Sequence, residues 1–157
     1  MKPKAYLETT IASYLTARPN RDLITAANQQ MTHDWWYDHR EQFALYVSQF
    51  VIEEASAGDP EAATRRLAVL ADLPQLDVTD AVQHLAHALL THVPLPANAQ
   101  VDALRIAVAT VHGMDYLVTW NCTHIANATW RHRIEAICRA AGYEPPTICT
   151  PQELLET

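Results

Sequence analysis

The chain has 157 residues, a length that fits one compact domain with its own hydrophobic core, so we expect a single domain over residues 1–157. Hydrophobic residues make up 49% of the chain, which argues against wholesale disorder, and no apolar run approaches the roughly 20 residues that a transmembrane helix needs. The net charge of −7 excludes a general nucleic-acid coat protein, which would be basic overall, but not a nuclease whose acidic residues bind metal.

The cysteines and the N-terminal residues indicate the compartment. Cys122, Cys138 and Cys149 are odd in number and lack CxxC spacing, so we interpret them as reduced thiols and not as a disulfide framework or a zinc site. The segment Met1–Lys4 leads straight into a strand and lacks the apolar core of a signal peptide. We therefore predict a cytoplasmic protein with no membrane partner.

Short apolar runs alternate with helical segments along the chain, a pattern typical of βαβ units around a parallel sheet. We predict strands at residues 4–8, 44–48, 75–78, 116–120 and 147–149. The predicted fold class is therefore α/β, with a central parallel sheet of about five strands flanked by helices.

Capping residues, prolines and glycines mark the predicted helices. Asp59 precedes Pro60, an order that favours a helix running to about Asp72. Further helices are predicted from residue 20 to about 40, from 79 or 80 to before 94, from 98 to 113, from about 128 to 142, and from 150 onward. In the first of these, Trp35 and Trp36 either pack on the sheet or form an exposed contact for a partner or a second copy.

Acidic and amide residues follow the predicted strands at the ends where a parallel sheet would gather them. Glu8 ends the first strand, Glu54 follows the second, Asp102 opens the helix that leads to the fourth, and Asn121 follows that strand. Ligands of open α/β sheets bind beyond the carboxyl ends of the strands. Carboxylates collected there without cationic partners repel one another unless a divalent cation joins them. The pattern predicts a magnesium or manganese site and phosphate-ester chemistry.

Each of these residues also has a purely structural interpretation. Glu8 could face solvent while Thr9 caps the next helix, and Asp102 could simply favour the dipole of its helix. Arg105 shares a helix face with Asp102 and is a candidate phosphate contact. His124, three residues after Asn121, either contacts phosphate or caps the following helix.

Other common catalytic motifs are missing from the sequence. It contains no GxGxxG, P-loop, nucleophile elbow or HExxH, and only three glycines. His84 and His87 have a spacing that can bind zinc, but without a nearby acidic or cysteine ligand we interpret them as surface packing.

Four segments of the chain, in order and at suitable spacing, resemble the PIN domain, and among its members the VapC-type toxins and their bacterial relatives. They are Tyr6–Leu15, Val51–Glu54 with Gly58–Asp59, Asp102–Ala107 and Leu117–Asn121. The resemblance spans nearly the whole chain and implies a PIN-like three-layer fold around a five-stranded parallel sheet. It also implies a Mg²⁺- or Mn²⁺-dependent ribonuclease, usually a homodimer, whose site a small antitoxin covers in toxin–antitoxin pairs.

Position by position, the resemblance places the metal ligands at Glu8, Glu54 and Asp102, and a fourth catalytic position at Asn121. Thr9, Arg105 and His124 are then the candidate substrate-binding residues, and single-stranded RNA is the expected substrate because its unpaired bases fit a cleft.

Two departures from the family pattern leave an alternative open. Glu8 stands where Asp is usual, and Asn121 carries an amide where a carboxylate is common, which lowers the negative charge available to a hard cation. The alternative is a PIN-like module that binds RNA or a partner protein without cleaving it. A phosphohydrolase of small esters is a further rival, but the DxD pattern often found after its first strand is missing here.

Overall fold

Five parallel strands form the centre of the structure, a computed structural model that describes residues 1–93, 99–121 and 128–155. The strands are β1 (Lys4–Leu7), β2 (Ala44–Ser48), β3 (Gln75–Leu76), β4 (Tyr116–Val118) and β5 (Thr147–Cys149). Each begins at the predicted residue, while β1, β3 and β4 end one or two residues early. The predicted α/β class, with helices on both sides of a parallel sheet, is confirmed.

Helices flank this sheet in the intervals between the strands. They are α1 (Thr9–Thr16), α2 (Leu23–Asp38), α3 (Gln49–Ala55), α4 (Pro60–Leu70), α5 (Asp80–His92), α6 (Ala99–Val111), α7 (Ala128–Ala140) and α8 (Pro151–Leu155), with a short 3-10 helix at Arg40–Gln42. None of the helices in the described ranges is long and apolar enough to span a membrane.

The predicted starts of α4 and α5 agree with the caps that the structure shows, whereas the helix predicted from residue 20 begins at Leu23, after the cap Asp22. The Asp59 side chain accepts a hydrogen bond from the Ala62 backbone N–H at 2.9 Å and caps α4. The Thr79 side chain accepts one from the Val82 backbone N–H and caps α5. Gly113 follows α6 with a φ of 71°, in the left-handed region that favours glycine. Asn98, the predicted start of α6, lies outside the described residues.

The sheet has the order β3-β2-β1-β4-β5 with every neighbouring pair parallel. From the central β1 the chain moves outward through β2 and β3, then returns to the other side of β1 for β4 and β5. This reversal makes a topological switch point between β1 and β4, the place where α/β sheets bind ligands. The Glu8 amide donates to the Val118 carbonyl at 3.0 Å, which extends the β1–β4 pairing to that edge.

One hydrophobic core joins the strands to the helices on both faces. Ala5, Tyr6 and Leu7 of β1 are fully buried, as expected for a strand covered on both sides. Trp35 and Trp36 are buried as well, and Trp35 packs against Phe43 with ring centroids 5.7 Å apart. Both belong to the hydrophobic core, which confirms that they are packed inside the protein, and their interpretation as an exposed contact is wrong.

Candidate functional site

Glu8 stands at the carboxyl end of β1 and caps α1 with its own side chain. Its Oε1 accepts hydrogen bonds from the Thr10 amide at 3.0 Å, the Thr10 hydroxyl and the Thr119 hydroxyl at 2.8 Å. The side chain is only 1% exposed. The interpretation of Glu8 as a solvent-facing residue beside a capping Thr9 is therefore wrong, because Glu8 is itself the buried cap.

Arg105 of α6 lies among the acidic residues and pairs with three of them. Its Nη1 is 2.9 Å from Asp102 Oδ1 and 3.8 Å from Glu8 Oε2, and its Nη2 pairs with Glu54 Oε2. Arg105 is 4% exposed, so this guanidinium is held in the interior with its carboxylates around it. The expectation that these carboxylates have no cationic partner is wrong: the chain supplies one.

Three separate elements bring the carboxylates to that guanidinium. Glu8 follows β1, Glu54 lies near the end of α3, and Asp102 lies one turn before Arg105 on α6. Their side-chain exposure rises from 1% for Glu8 through 16% for Asp102 to 44% for Glu54. The cluster therefore has a buried end at Glu8 and an open end at Glu54.

A pocket of about 290 Å³ opens beside this cluster. Its lining residues are Glu8, Thr9, Thr10, Ser13, Glu54, Arg66, Arg105 and Asn121. The Thr9 Oγ1 is buried at the pocket, and within the described ranges it has no hydrogen-bond partner. A hydroxyl left without a partner inside a protein is costly, so this atom is available to a group that enters the pocket.

Two of the lining residues have clear supporting contacts. Arg66 of α4 donates from Nε to the Ala55 carbonyl at 3.0 Å and from Nη2 to the Ala57 carbonyl at 2.6 Å, and so fixes the end of the helix that carries Glu54. The backbone N–H of Asn121 donates to the Thr119 hydroxyl at 2.9 Å, which anchors Asn121 just after the end of β4.

The buried tyrosine beneath the cluster reports the same local environment. Tyr6 of β1 has no exposed surface, and its hydroxyl lies 2.6 Å from the Ser48 hydroxyl. Burial raises the pKa of Tyr6 to about 12, with the Ser48 hydrogen bond and the Arg105 charge acting in the opposite direction and the Glu8 and Glu54 charges adding to the rise. Tyr6 is therefore a neutral part of the floor of the site.

The oxygen atoms that line the pocket are of the kind that binds a hard cation, but in this structure the carboxylates are arranged around the guanidinium of Arg105. Carboxylate, amide and hydroxyl oxygens are the ligands that Mg²⁺ and Mn²⁺ prefer, and the unpartnered Thr9 hydroxyl lies among them. In the part of the chain that the structure describes, no three histidine, cysteine, aspartate or glutamate side chains form a group that could hold an ion together. Arg105 lies between the carboxylates, so a divalent ion would have to take its place.

The structure thus brings together Glu8, Glu54, Asp102, Arg105, Thr9 and Asn121, whereas His124 lies outside the described residues. Sequence reasoning missed Ser13, Arg66 and Thr119. Thr119 could have been found from its place at the end of β4, next to the end of β1. Arg66 could not, because its contacts are with backbone carbonyls that no sequence pattern marks.

A comparison of the chain with family models, with curated proteins and with solved structures gave no match. The site is therefore interpreted from its own geometry and chemistry.

Proposed function

We propose that this protein is a metal-dependent ribonuclease that hydrolyses phosphodiester bonds of single-stranded RNA, with Mg²⁺ or Mn²⁺ held by Glu8, Glu54 and Asp102. The observation that carries the proposal is the convergence of these three carboxylates, from three different elements, on one buried positive charge at the switch point of the sheet. A site built in this way favours a cation at its centre.

The need for that cation follows from the burial of Glu8. A carboxylate that is 1% exposed is costly to bury without an opposite charge. Glu8, Glu54 and Asp102 together carry three negative charges, and Arg105 supplies a single positive one. A divalent ion would compensate more of that charge than the guanidinium does, which favours its exchange for Arg105.

The chain's own groups are suited to the positions that such a reaction requires. Three donors hold Glu8 Oε1, so Oε2 remains directed to the cation. When bound, the ion would lower the pKa of a water molecule and stabilise the charge that builds up on the phosphate oxygens. Thr9 and Asn121 would orient water or phosphate oxygens, and Arg105, once released from the carboxylates, would pair with the phosphate. His124 stays a predicted phosphate contact.

A second candidate function is supported by the same guanidinium. If Arg105 keeps its place against the three carboxylates, the site is already neutralised in part, and Asn121 adds no charge to attract an ion. The protein would then be a PIN-like module that binds RNA or a partner protein without cleaving it. Titration with Mn²⁺ separates the two functions, because the module should show no saturable binding below millimolar metal.

The partner expectations belong to the same proposal. A small antitoxin would cover the pocket and a second copy would form a homodimer. A short neighbouring reading frame that encodes a DNA-binding half would support the antitoxin, and its co-purification with this chain would establish it.

RNA cleavage by matched pairs of variants tests the proposed function. Wild-type protein is incubated with a mixed single-stranded RNA pool in Mn²⁺ or Mg²⁺ and, separately, in EDTA. We expect Glu54→Gln and Asp102→Asn to abolish cleavage. Asp102→Asn also breaks the pair with the buried Arg105 and should lower the melting temperature, so circular dichroism verifies that each variant is folded at the assay temperature. Glu53→Gln is the control, because Glu53 neighbours Glu54 on α3 but binds the exposed Gln49 amide.

Two results would contradict the proposal. Cleavage that persists in EDTA would show that the reaction needs no metal ion, and cleavage that persists in Asp102→Asn would show that Asp102 is not part of the catalytic site. If the well-folded wild type cleaves nothing with either metal, the binding module becomes the better interpretation.

A further inference from the structure

Two half-buried aromatic rings stack on one another next to the pocket. The ring centroids of Tyr14 and Trp120 are 5.8 Å apart and their planes differ by 17°. Tyr14 lies one turn after Thr10 on α1 and directly follows Ser13, while Trp120 directly precedes Asn121. Since Thr10, Ser13 and Asn121 all line the pocket, both elements that carry the rings also form the candidate site.

Hydrogen bonds fix the position of Trp120 relative to the carboxylates. Its indole N–H donates to the Thr32 hydroxyl at 2.8 Å, and its backbone N–H donates to the Thr10 hydroxyl at 3.0 Å. The same Thr10 hydroxyl donates to Glu8. Thr10 therefore links the backbone of Trp120 to Glu8, the most buried carboxylate of the site, and these hydrogen bonds hold this end of the stack in place.

Core packing accounts for only one of the two rings. Trp120 packs in part against the hydrophobic core, whereas Tyr14 does not belong to the core or to the apolar residues packed around it. Tyr14 is nevertheless held nearly parallel to the indole, and its neighbour Ser13 lines the pocket. The ring keeps surface that a flat apolar group could cover.

We propose that Tyr14 and Trp120 form a stacking subsite for an unpaired nucleobase next to the phosphate that is cleaved. This inference rests on the proposed function and specifies its substrate. A base in a duplex already stacks on its neighbours, whereas an unpaired base presents a free face to aromatic side chains. Such a subsite selects single-stranded RNA and tolerates any base.

The charge of the chain makes a stacking contact especially useful. With 18 acidic and 11 basic side chains, the protein has little positive charge to attract phosphate groups. Stacking on aromatic rings does not depend on charge, so it would supply affinity that lysine and arginine supply in other nucleic-acid-binding proteins.

Binding of short labelled RNA strands tests the subsite without relying on cleavage. Affinity is measured by fluorescence anisotropy with Ca²⁺ in place of Mg²⁺ or Mn²⁺, and gels verify that the strands stay intact. We expect Tyr14→Ala to weaken binding by about 5- to 150-fold, which is the range that the loss of one base–aromatic stack corresponds to. Tyr14→Phe, which keeps the ring, should bind like the wild type.

Tyr37→Ala is the matched control. Tyr37 is also stacked on an aromatic neighbour, His33, with ring centroids 6.0 Å apart, and it is 72% exposed on α2. No described residue of α2 lines the pocket, whereas Ser13 and Asn121, the chain neighbours of Tyr14 and Trp120, both do. The loss of Tyr37 should therefore leave RNA affinity unchanged. Thermal melting of each variant verifies that it is folded.

Strands that lack one base identify the contact itself. We expect the wild type to lose affinity when a particular nucleotide is made abasic, and Tyr14→Ala to be insensitive to that same change. The subsite would be overturned if Tyr14→Ala weakened binding by the same factor on intact and on abasic strands. It would also be overturned if Tyr14→Ala and Tyr37→Ala bound the intact strand with equal affinity. If the wild type shows this base-dependent binding but never cleaves RNA with Mg²⁺ or Mn²⁺, the result would instead contradict the proposed nuclease and support the binding module.

Discussion

Replacing Arg105 with glutamine removes the positive charge that the site provides for itself. The new side chain is shorter but keeps a polar end, and Glu8, Glu54 and Asp102 lose their shared partner. We expect two opposite effects: the free energy of unfolding falls in the absence of metal, and the affinity for Mn²⁺ rises.

The size of the first effect follows from the ion-pair geometry. At an effective dielectric constant of about 20, charges 2.9 Å apart attract by about 6 kcal/mol and charges 3.8 Å apart by about 4 kcal/mol. Desolvation opposes both, and removing one partner of a buried pair costs about 3–5 kcal/mol in practice. Glu54 is 44% exposed, so its pair adds at most about 1 kcal/mol. For a domain of 157 residues this corresponds to a melting temperature lower by about 6–20 °C.

The second effect has the same origin. In the wild type, a metal ion enters only when the pairs with Arg105 break, so their energy opposes binding. Without the guanidinium this cost disappears, and the affinity for Mn²⁺ should rise by up to about 10²- to 10³-fold. Bound Mn²⁺ should also restore much of the melting temperature that the variant loses in EDTA.

Isothermal titration with Mn²⁺ and thermal melting by circular dichroism, each in EDTA and in Mn²⁺, measure both effects. Arg66→Gln is the control, because this second guanidinium at the pocket binds the carbonyls of Ala55 and Ala57. A Mn²⁺ affinity for Arg105→Gln no higher than that of the wild type would refute the exchange of guanidinium for metal. An equal loss of stability with and without Mn²⁺ would refute it as well.

Three further predictions concern the floor of the site, its hydrogen bonds and the assembly. Thr119→Val removes a buried donor to Glu8 and should lower the free energy of unfolding in urea by about 1–3 kcal/mol, and an unchanged urea midpoint would contradict this role. The pKa of Tyr6 is about 12 in the folded protein, above its ordinary value near 10, so the unfolded chain loses the phenol proton first as pH rises. Stability should fall between about pH 10 and 12, by up to about 2–3 kcal/mol, and Tyr6→Phe should remove this part of the pH dependence. Sedimentation velocity should show the homodimer, and a monomer at every concentration would contradict it.

Most of the sheet could be predicted from the sequence because β1, β2, β4 and β5 lie in short apolar runs between helical segments, whereas β3 is only Gln75–Leu76 and was predicted two residues too long. Strands of a parallel sheet are buried on both faces, so their apolar character is continuous, as in the run that forms β1. Glu8 could be predicted as a site residue for a related reason: it is the first charged residue after a buried strand. The unpredicted helix α3 begins directly after β2, with no glycine or proline between the two elements to mark a boundary.

The pairing of Arg105 with the carboxylates could not be predicted. Its contact with Glu54 spans 51 residues and depends on where α3 ends relative to α6. Helical periodicity placed Arg105 on the face of Asp102, but periodicity gives no distance between different helices. The same limit explains Trp35, because its contact with Phe43 cannot be read from the pattern of its own helix.

The pairing of β1 with β4 also determines when the site comes into existence. One of the three hydrogen bonds that Glu8 accepts comes from Thr119, a residue 111 positions later in the chain. Contacts across such separations form only after a long loop has closed, and they come late in folding. An intermediate in which only β1, β2 and β3 have paired would contain Glu8 and its two donors on Thr10, but not the donor that ties Glu8 to the end of β4. During synthesis on the ribosome, the chemistry of the site is therefore withheld until the nascent chain has extended past Thr119.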